Sequence, residues 1–323
     1  MTVSLLAALM AGGPFIRFLR QRYLGQYIRQ DGPQSHHGKA GTPTAGGVLI
    51  LGSALAGIAA MAIFGMKDYW TTEFWLTLAV TFALGAVGFV DDYLKIAKKQ
   101  NKGLSGYAKL AIQGALGLGI GLYMSQTLGL SGVAVFNGLR LELGPVLYPL
   151  FTAVVMMAVS NAVNLTDGLD GLAAGCSALT LTALSVCFTG NLYSDVANVY
   201  PDLGMAALIL TGATLGFLFH NLYPARLFMG DTGSLALGGA MAAMAILSQT
   251  EFWLFLLGGV FVAEALSVIL QVASFKLTGR RIFKMSPLHH HFELCGWRER
   301  RVTAVFVLTQ FLLCALALFL YNK

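Results

Sequence analysis

Ten apolar windows run along this chain, at about 3–19, 44–66, 73–92, 107–128, 146–163, 171–190, 203–220, 232–248, 252–276 and 302–321. Each is near the ~20 residues a helix needs to cross a bilayer core. No other feature limits the fold so strongly, because only helices and closed barrels satisfy every backbone group inside a membrane. Two windows are weaker: 171–190 carries several Ser and Thr, and 232–248 is short. Composition agrees. Of 323 residues, 56% are hydrophobic and 11% charged, against about 25% charged in ordinary soluble domains. The expected fold is an all-α polytopic membrane protein, one integral-membrane domain over 1–323.

Charge placement tests the windows. Lys and Arg number five in 17–43, five in 93–109, none in 161–171, one (Arg226) in 221–231 and seven in 276–301. Only Lys67, Arg140 and Lys323 fall in the alternate loops. Basic loops stay in the cytoplasm, so the expectation is ten transmembrane helices with both termini periplasmic or extracellular. The first window has no basic residue ahead of it, which argues for a spanning helix over a cleaved signal peptide. Cys176, Cys187, Cys295 and Cys314 lack metal-type spacing, so neither a disulfide nor zinc is expected. The net charge of +6 suits attraction to anionic headgroups or a landing surface for an anionic substrate. The outer stretch GVAVFNGLRLEL, 132–143, alternates around Asn137-Gly138 and predicts a small β-hairpin.

The polar residues then separate by side. All six histidines fall on the inner side, with Asp31, Asp91, Asp92, Asp167, Asp170, Asp231, Glu293 and Glu299. The outer acids Asp68, Glu73, Glu142, Asp195, Asp202 and Glu251 read as scattered, solvated loop residues. Five inner loops therefore bring carboxylates, imidazoles, amides and lysines to one face.

Five motifs carry them. In GFVDDYLK, 88–95, Asp91 and Asp92 point about 100° apart on a helix, and Lys95 shares the face of Asp91. Two acids at a helix C-terminus oppose its dipole, which points to a metal ion or phosphate rather than a solvated end. In SNAVNLTDGLDGLAAG, 160–175, Asn164, Asp167 and Asp170 lie three apart and would share one face of a helical turn. In FHNLYPARLFMGDTGSLALGG, 219–239, Asp231 is either an ordinary helix cap or a metal ligand beside phosphate. In HHGKAGTPTAGG, 36–47, Lys39 suggests a phosphate or carbonyl contact, although no P-loop is present. In SPLHHHFEL, 286–294, three consecutive histidines cannot all reach one ion, so His289 to His291 read as donors, cations or acid–base groups. Glu264, a lone acid within the ninth window, bonds a neighbouring helix or supports the site.

Taken together, GKAGTPTAGG, GFVDDYLK, NAVNLTDGLDGLA, HNLYPARLFMGDTGSLALGG and GRRIFKMSPLHHHFEL resemble the phospho-N-acetylmuramoyl-pentapeptide-transferase family. That family lies within the polyprenyl-phosphate N-acetylhexosamine-1-phosphate transferases, and PLHHHFE points to the muramoyl branch. The resemblance implies a Mg²⁺-dependent enzyme of the bacterial plasma (inner) membrane, its active site facing the cytoplasm. It would pass phospho-N-acetylmuramoyl-pentapeptide from UDP to undecaprenyl phosphate, releasing UMP. It implies a homodimer among membrane lipid and no nucleic-acid partner. By motif position, Asp231 would ligate Mg²⁺, and Asp91, Asp92, Asp231 and His289 would be catalytic. Lys39, Thr44, Lys95, Asn164, Asp167, Asp170, Asn221, Phe228, His290 and His291 would bind substrate, with Phe228 stacking on uracil. The rival readings are a sister transferase using UDP-N-acetylglucosamine or a related donor, and a transporter. A transporter would place its acids near the midplane, often within repeated halves.

Overall fold

The computed structural model describes residues 1–22, 41–98, 103–135, 139–190 and 200–321. The chain is mainly helical. Among the described residues, nine helices are long and apolar enough to cross a membrane: α1 (Thr2–Gln21), α2 (Gly46–Ile63), α3 (Thr72–Ala97), α5 (Gly144–Thr166), α6 (Leu172–Thr189), α7 (Pro201–Asn221), α8 (Gly230–Leu247), α10 (Gly259–Thr278) and α12 (Glu299–Tyr321). Between α3 and α5 lies α4 (Gly106–Leu122), 17 residues prolonged by a π-helical turn, Tyr123–Thr127. The chain is thus a polytopic membrane protein whose helices match the apolar windows in order.

The ninth window departs from expectation. It breaks into a short α9 (Leu254–Leu257) and α10, with Gly258 between them. Hydropathy registers apolar length, not helix continuity. The break frees the carbonyl of Leu257, which accepts from Thr180 Oγ1 at 2.7 Å and from Gln310 Nε2. Gln310 Oε1 in turn accepts from Val260 N at 3.1 Å. Side chains of α6 and α12 therefore replace the lost intrahelical partners, as an apolar medium requires.

A hairpin forms as expected. β1 (Gly132–Ala134) pairs antiparallel with β2 (Arg140–Glu142), Val133 opposite Leu141. Its turn dipeptide Asn137-Gly138 lies outside the described residues.

The helices pack around α8, in which every residue from Thr232 to Leu247 is buried. Its small residues let neighbours close in. A Cβ at Gly238 would stand 2.7 Å from Ser160 Cα of α5, and one at Gly239 would stand 2.4 Å from Leu84 of α3. A Cβ on Gly88 of α3 would meet the Asp231 carbonyl at 2.1 Å. Van der Waals contact between small-residue faces drives helix association where both alternatives are apolar. The weak windows now have a reason. The helices they became, α6 and α8, are 78% and 89% buried, against 22% for α12, so they meet protein more than lipid, and Ser177, Thr180 and Ser185 of α6 lie inside the bundle.

Candidate active site

The start of α8 makes the site. Gly230 has φ +74, which reverses the chain into the helix, and a Cβ there would press on Asp92 Oδ2 and Thr44 Oγ1. The preceding segment is held to the entry of α2: Phe228 N donates to Pro43 O, and Gly46 N to Phe228 O, at 2.9 and 2.8 Å. Phe228 is half-buried and Thr44 buried beside the α8 entry. Lys39 lies outside the described residues.

Asp231 does not cap its own helix. Asp92 does, from α3. Its Oδ1 accepts from Asp231 N at 3.1 Å, and its Oδ2 from Thr232 N at 3.0 Å and Thr232 Oγ1 at 2.7 Å. An acid at a helix N-terminus suits the macrodipole, and this one reaches across about 140 residues of sequence. The cap frees the Asp231 carboxylate. Its Oδ1 receives Asn164 Nδ2 at 3.1 Å and Lys95 Nζ at 3.3 Å, and its Oδ2 receives Lys109 Nζ at 3.0 Å.

Asp91 takes other partners than its neighbour Asp92 does. Lys95 Nζ lies 2.6 Å from its Oδ2, while Leu104 N (2.8 Å) and Lys109 Nζ (3.4 Å) approach its Oδ1. Two ammonium groups thus bridge two carboxylates. Lys109, on α4, is a site residue that motif reading missed. It stood in a basic loop without a motif around it, and only the packing of α4 beside α3 brings it here.

The expectation that Asn164, Asp167 and Asp170 share one helical face is overturned. Helix α5 ends at Thr166, so only Asn164 is helical and the three side chains fan out. Asn164 Nδ2 also donates to Ser234 Oγ at 2.8 Å, Asp167 Oδ2 accepts from Gly230 N at 3.2 Å, and Asp170 Oδ2 from Ala225 N at 2.9 Å. Burial, with Asp231 and Asp92 nearby, pushes the Asp167 carboxyl up to about 7, and the Gly230 N–H offsets part of that rise. Asn221 braces the same turns: its Oδ1 accepts from Gly171 N and its Nδ2 donates to Leu227 O.

The histidines occupy a short helix, α11 (Leu288–Leu294), and do three different things. His289 is buried, its Nδ1 3.1 Å from Glu264 Oε1. His290 Nδ1 lies 2.9 Å from Glu293 Oε2, one turn along. His291 Nδ1 accepts from Lys284 N at 3.1 Å and steadies the preceding loop.

Three carboxylates in this arrangement can hold a divalent cation. One oxygen each from Asp91, Asp92 and Asp231 lies within 4.8 Å of the others, and carboxylate oxygens are the donors Mg²⁺ takes. Exposure ranks them. Asp231 is 13% exposed and Asp91 1%, and both Asp92 oxygens are engaged at the α8 terminus, so Asp231 is the donor most open to an incoming ion.

Similarity to known proteins agrees with this geometry. A profile of glycosyl transferase family 4 matches residues 74–249, which span Asp91 through Asp231. The phospho-N-acetylmuramoyl-pentapeptide-transferase of Shouchella clausii (strain KSM-K16) is 47% identical over 307 residues, covering 94% of this chain and 91% of that protein. The Bacillus mycoides (strain KBAB4) protein of the same name is 45% identical over 325 residues, 98% of this chain and 95% of its own. With capped α8, paired carboxylates and this near-full-length likeness, the chain belongs to glycosyl transferase family 4 and, within it, to the phospho-N-acetylmuramoyl-pentapeptide-transferases.

Proposed function

We propose that this chain transfers phospho-N-acetylmuramoyl-pentapeptide from its UDP conjugate to undecaprenyl phosphate and releases UMP. The names of its relatives support the substrates. The observation that carries the site is the Asp91–Lys95–Asp231–Lys109 cluster at the capped end of α8. It joins groups that bind a cation to groups that bind phosphate.

In this reading Asp231 holds Mg²⁺, with Asp91 beside it. Bound there, Mg²⁺ would offset charge on the pyrophosphate and the departing UMP. Lys95 and Lys109 turn from the carboxylates to the phosphate oxygens as substrate enters. Both oxygens of Asp92 serve α8, which leaves Asp91 to position or deprotonate the lipid phosphate and Asp92 to keep Asp231 aimed. Asn164 and Asp167 edge the nucleoside-sugar pocket with Thr44 and Phe228, whose ring stacks on uracil, and Lys39 binds the same substrate. Asp170 and Asn221 shape the walls of that pocket. His289 acts at the phosphates, supported by His290 and His291.

The proposal extends to placement. The chain is one domain with ten spans, counting α4 with its π turn, and both termini lie outside. The bias of Lys and Arg to alternate loops supports a site facing the cytoplasm of the bacterial plasma membrane. Assembly as a homodimer rests on the family resemblance alone.

Donor choice tests the reaction. Purified protein with undecaprenyl phosphate and Mg²⁺ is expected to release UMP from UDP-N-acetylmuramoyl-pentapeptide and form the lipid-linked product. Turnover of UDP-N-acetylglucosamine with none of the muramoyl donor would overturn it.

A further inference from the structure

Helix α10 carries one acid, Glu264, wholly buried within a spanning segment. An unmatched carboxylate there costs several kcal/mol, so its partners reveal its purpose. Ser267 Oγ bonds the backbone carbonyl of Glu264 and not its side chain. Among the described residues, Glu264 Oε1 receives two bonds, both from one residue, His289 N at 3.2 Å and His289 Nδ1 at 3.1 Å, while its Oε2 is buried without a partner. We infer that Glu264 is a positioning residue, which fixes the ring and tautomer of His289 for the transfer reaction. The inference rests on the reading of His289 as a group that acts at the phosphates.

Three observations carry it. A carboxylate only accepts, so with Glu264 ionised Nδ1 carries the hydrogen of this contact and Nε2 is the nitrogen turned away from it. Among the described residues, the buried Nε2 has no hydrogen-bond partner. It is therefore held ready for something other than the fold. Lastly, Nε2 faces Gly168, where a Cβ would stand 2.2 Å away. Gly168 follows Asp167 in the turn that meets the start of α8, so the ring is aimed at the site. His290 is anchored within its own short helix and His291 on its own loop. His289 is anchored on a spanning helix. The arrangement follows the logic of a catalytic imidazole oriented by a carboxylate on its far nitrogen.

A merely structural Glu264 would tie α11 to α10, and its loss would then harm the protein whichever residue stood at 289. A double-mutant cycle separates the two roles. Turnover is measured over a range of UDP-N-acetylmuramoyl-pentapeptide concentrations up to saturation for the parent, Glu264→Ala, Glu264→Gln, His289→Ala and both double variants, with thermal unfolding to confirm folded protein. Glu264→Ala is expected to lower kcat about 100-fold with the donor KM within about 2-fold, and Glu264→Gln, which keeps an acceptor, to lose about 10-fold. In the His289→Ala background neither change should cost more than about 2-fold. If Glu264→Ala does not fold, the Glu264→Gln cycle carries the same comparison. Losses that multiply in the double variants overturn the inference while leaving His289 its role, as does a Glu264→Ala enzyme of normal kcat. Near-normal kcat in His289→Ala would remove the reading of His289, and this inference with it.

Discussion

The two ends of α8 both bury acids, and they treat them in opposite ways. At its start, Asp91 and Asp231 share two ammonium groups within 2.6–3.4 Å. At its end, Glu251 is just as buried, but its Oε1 accepts from the Tyr148 hydroxyl at 3.1 Å, and among the described residues its Oε2 has no hydrogen-bond partner. Gln249 ties the same corner to the hairpin by donating to Gly132 O at 2.8 Å. Burial pushes the Glu251 carboxyl up to about 8, so at neutral pH it holds its proton and acts as a neutral hydrogen-bonding group. One end surrounds two of its acids with lysine ammonium groups, and the other makes its acid harmless by neutralising it. A charged, compensated cluster is what phosphate and metal chemistry needs. A neutral one serves packing.

Substitutions at each end should differ accordingly. Replacing Asp231 with Ala or Asn is expected to lower transfer by 10³-fold or more while the protein still unfolds cooperatively. Near-normal turnover at saturating Mg²⁺ would erase the distinction between the ends. Lys109→Gln removes one of the two bridging cations and should cost about 10²-fold in kcat/KM, read from UMP release. If it were silent, Lys109 would be a surface ion pair and no more. Asp92→Ala strips three hydrogen bonds from the α8 N-terminus and should destabilise the protein by about 1–3 kcal/mol, seen in denaturant unfolding, with activity falling as well. The smallest effect belongs to Glu251→Gln. Below about pH 4.5, where the acid is neutral in the folded and the unfolded chain alike, it replaces one neutral group with another, so stability should change by about 1 kcal/mol or less.

The pH dependence sharpens that last case. The Glu251 carboxyl rises from 4.5 to about 8 on folding, so the folded state keeps its proton where the unfolded chain has lost it. Its contribution is full below pH 4.5 and is lost as pH climbs towards about 8. The parent protein should therefore lose stability across that window, and Glu251→Gln should flatten the slope, as melting curves at stepped pH would register.

Much of this architecture could be read from the chain. The apolar windows located the helices, and the alternating basic loops gathered the acids of three motifs onto one face. Local pattern could not supply contacts made across long sequence separations. The cap on α8 comes from α3, Lys109 arrives on α4, and Glu264 reaches His289 from 25 residues away. The outer acids show the same limit. Asp202 and Glu251 read as solvated, yet both are buried. Asp202 receives the Thr71 hydroxyl and Glu251 that of Tyr148, partners from other helices that no local window contains. Asn164, Asp167 and Asp170 were assigned a common face because spacing was read as continuous helix. The helix ends between the first and second of them.

The central claim is that the charged end of α8 is a divalent-cation site built on Asp231. Binding of Mn²⁺, as a paramagnetic stand-in for Mg²⁺, tests it without turnover. Purified parent protein titrated with Mn²⁺ in an electron paramagnetic resonance experiment should show one saturable site that Mg²⁺ displaces, and Asp231→Asn should lose it while Glu251→Gln keeps it. Equal Mn²⁺ binding by the parent and Asp231→Asn would contradict the account.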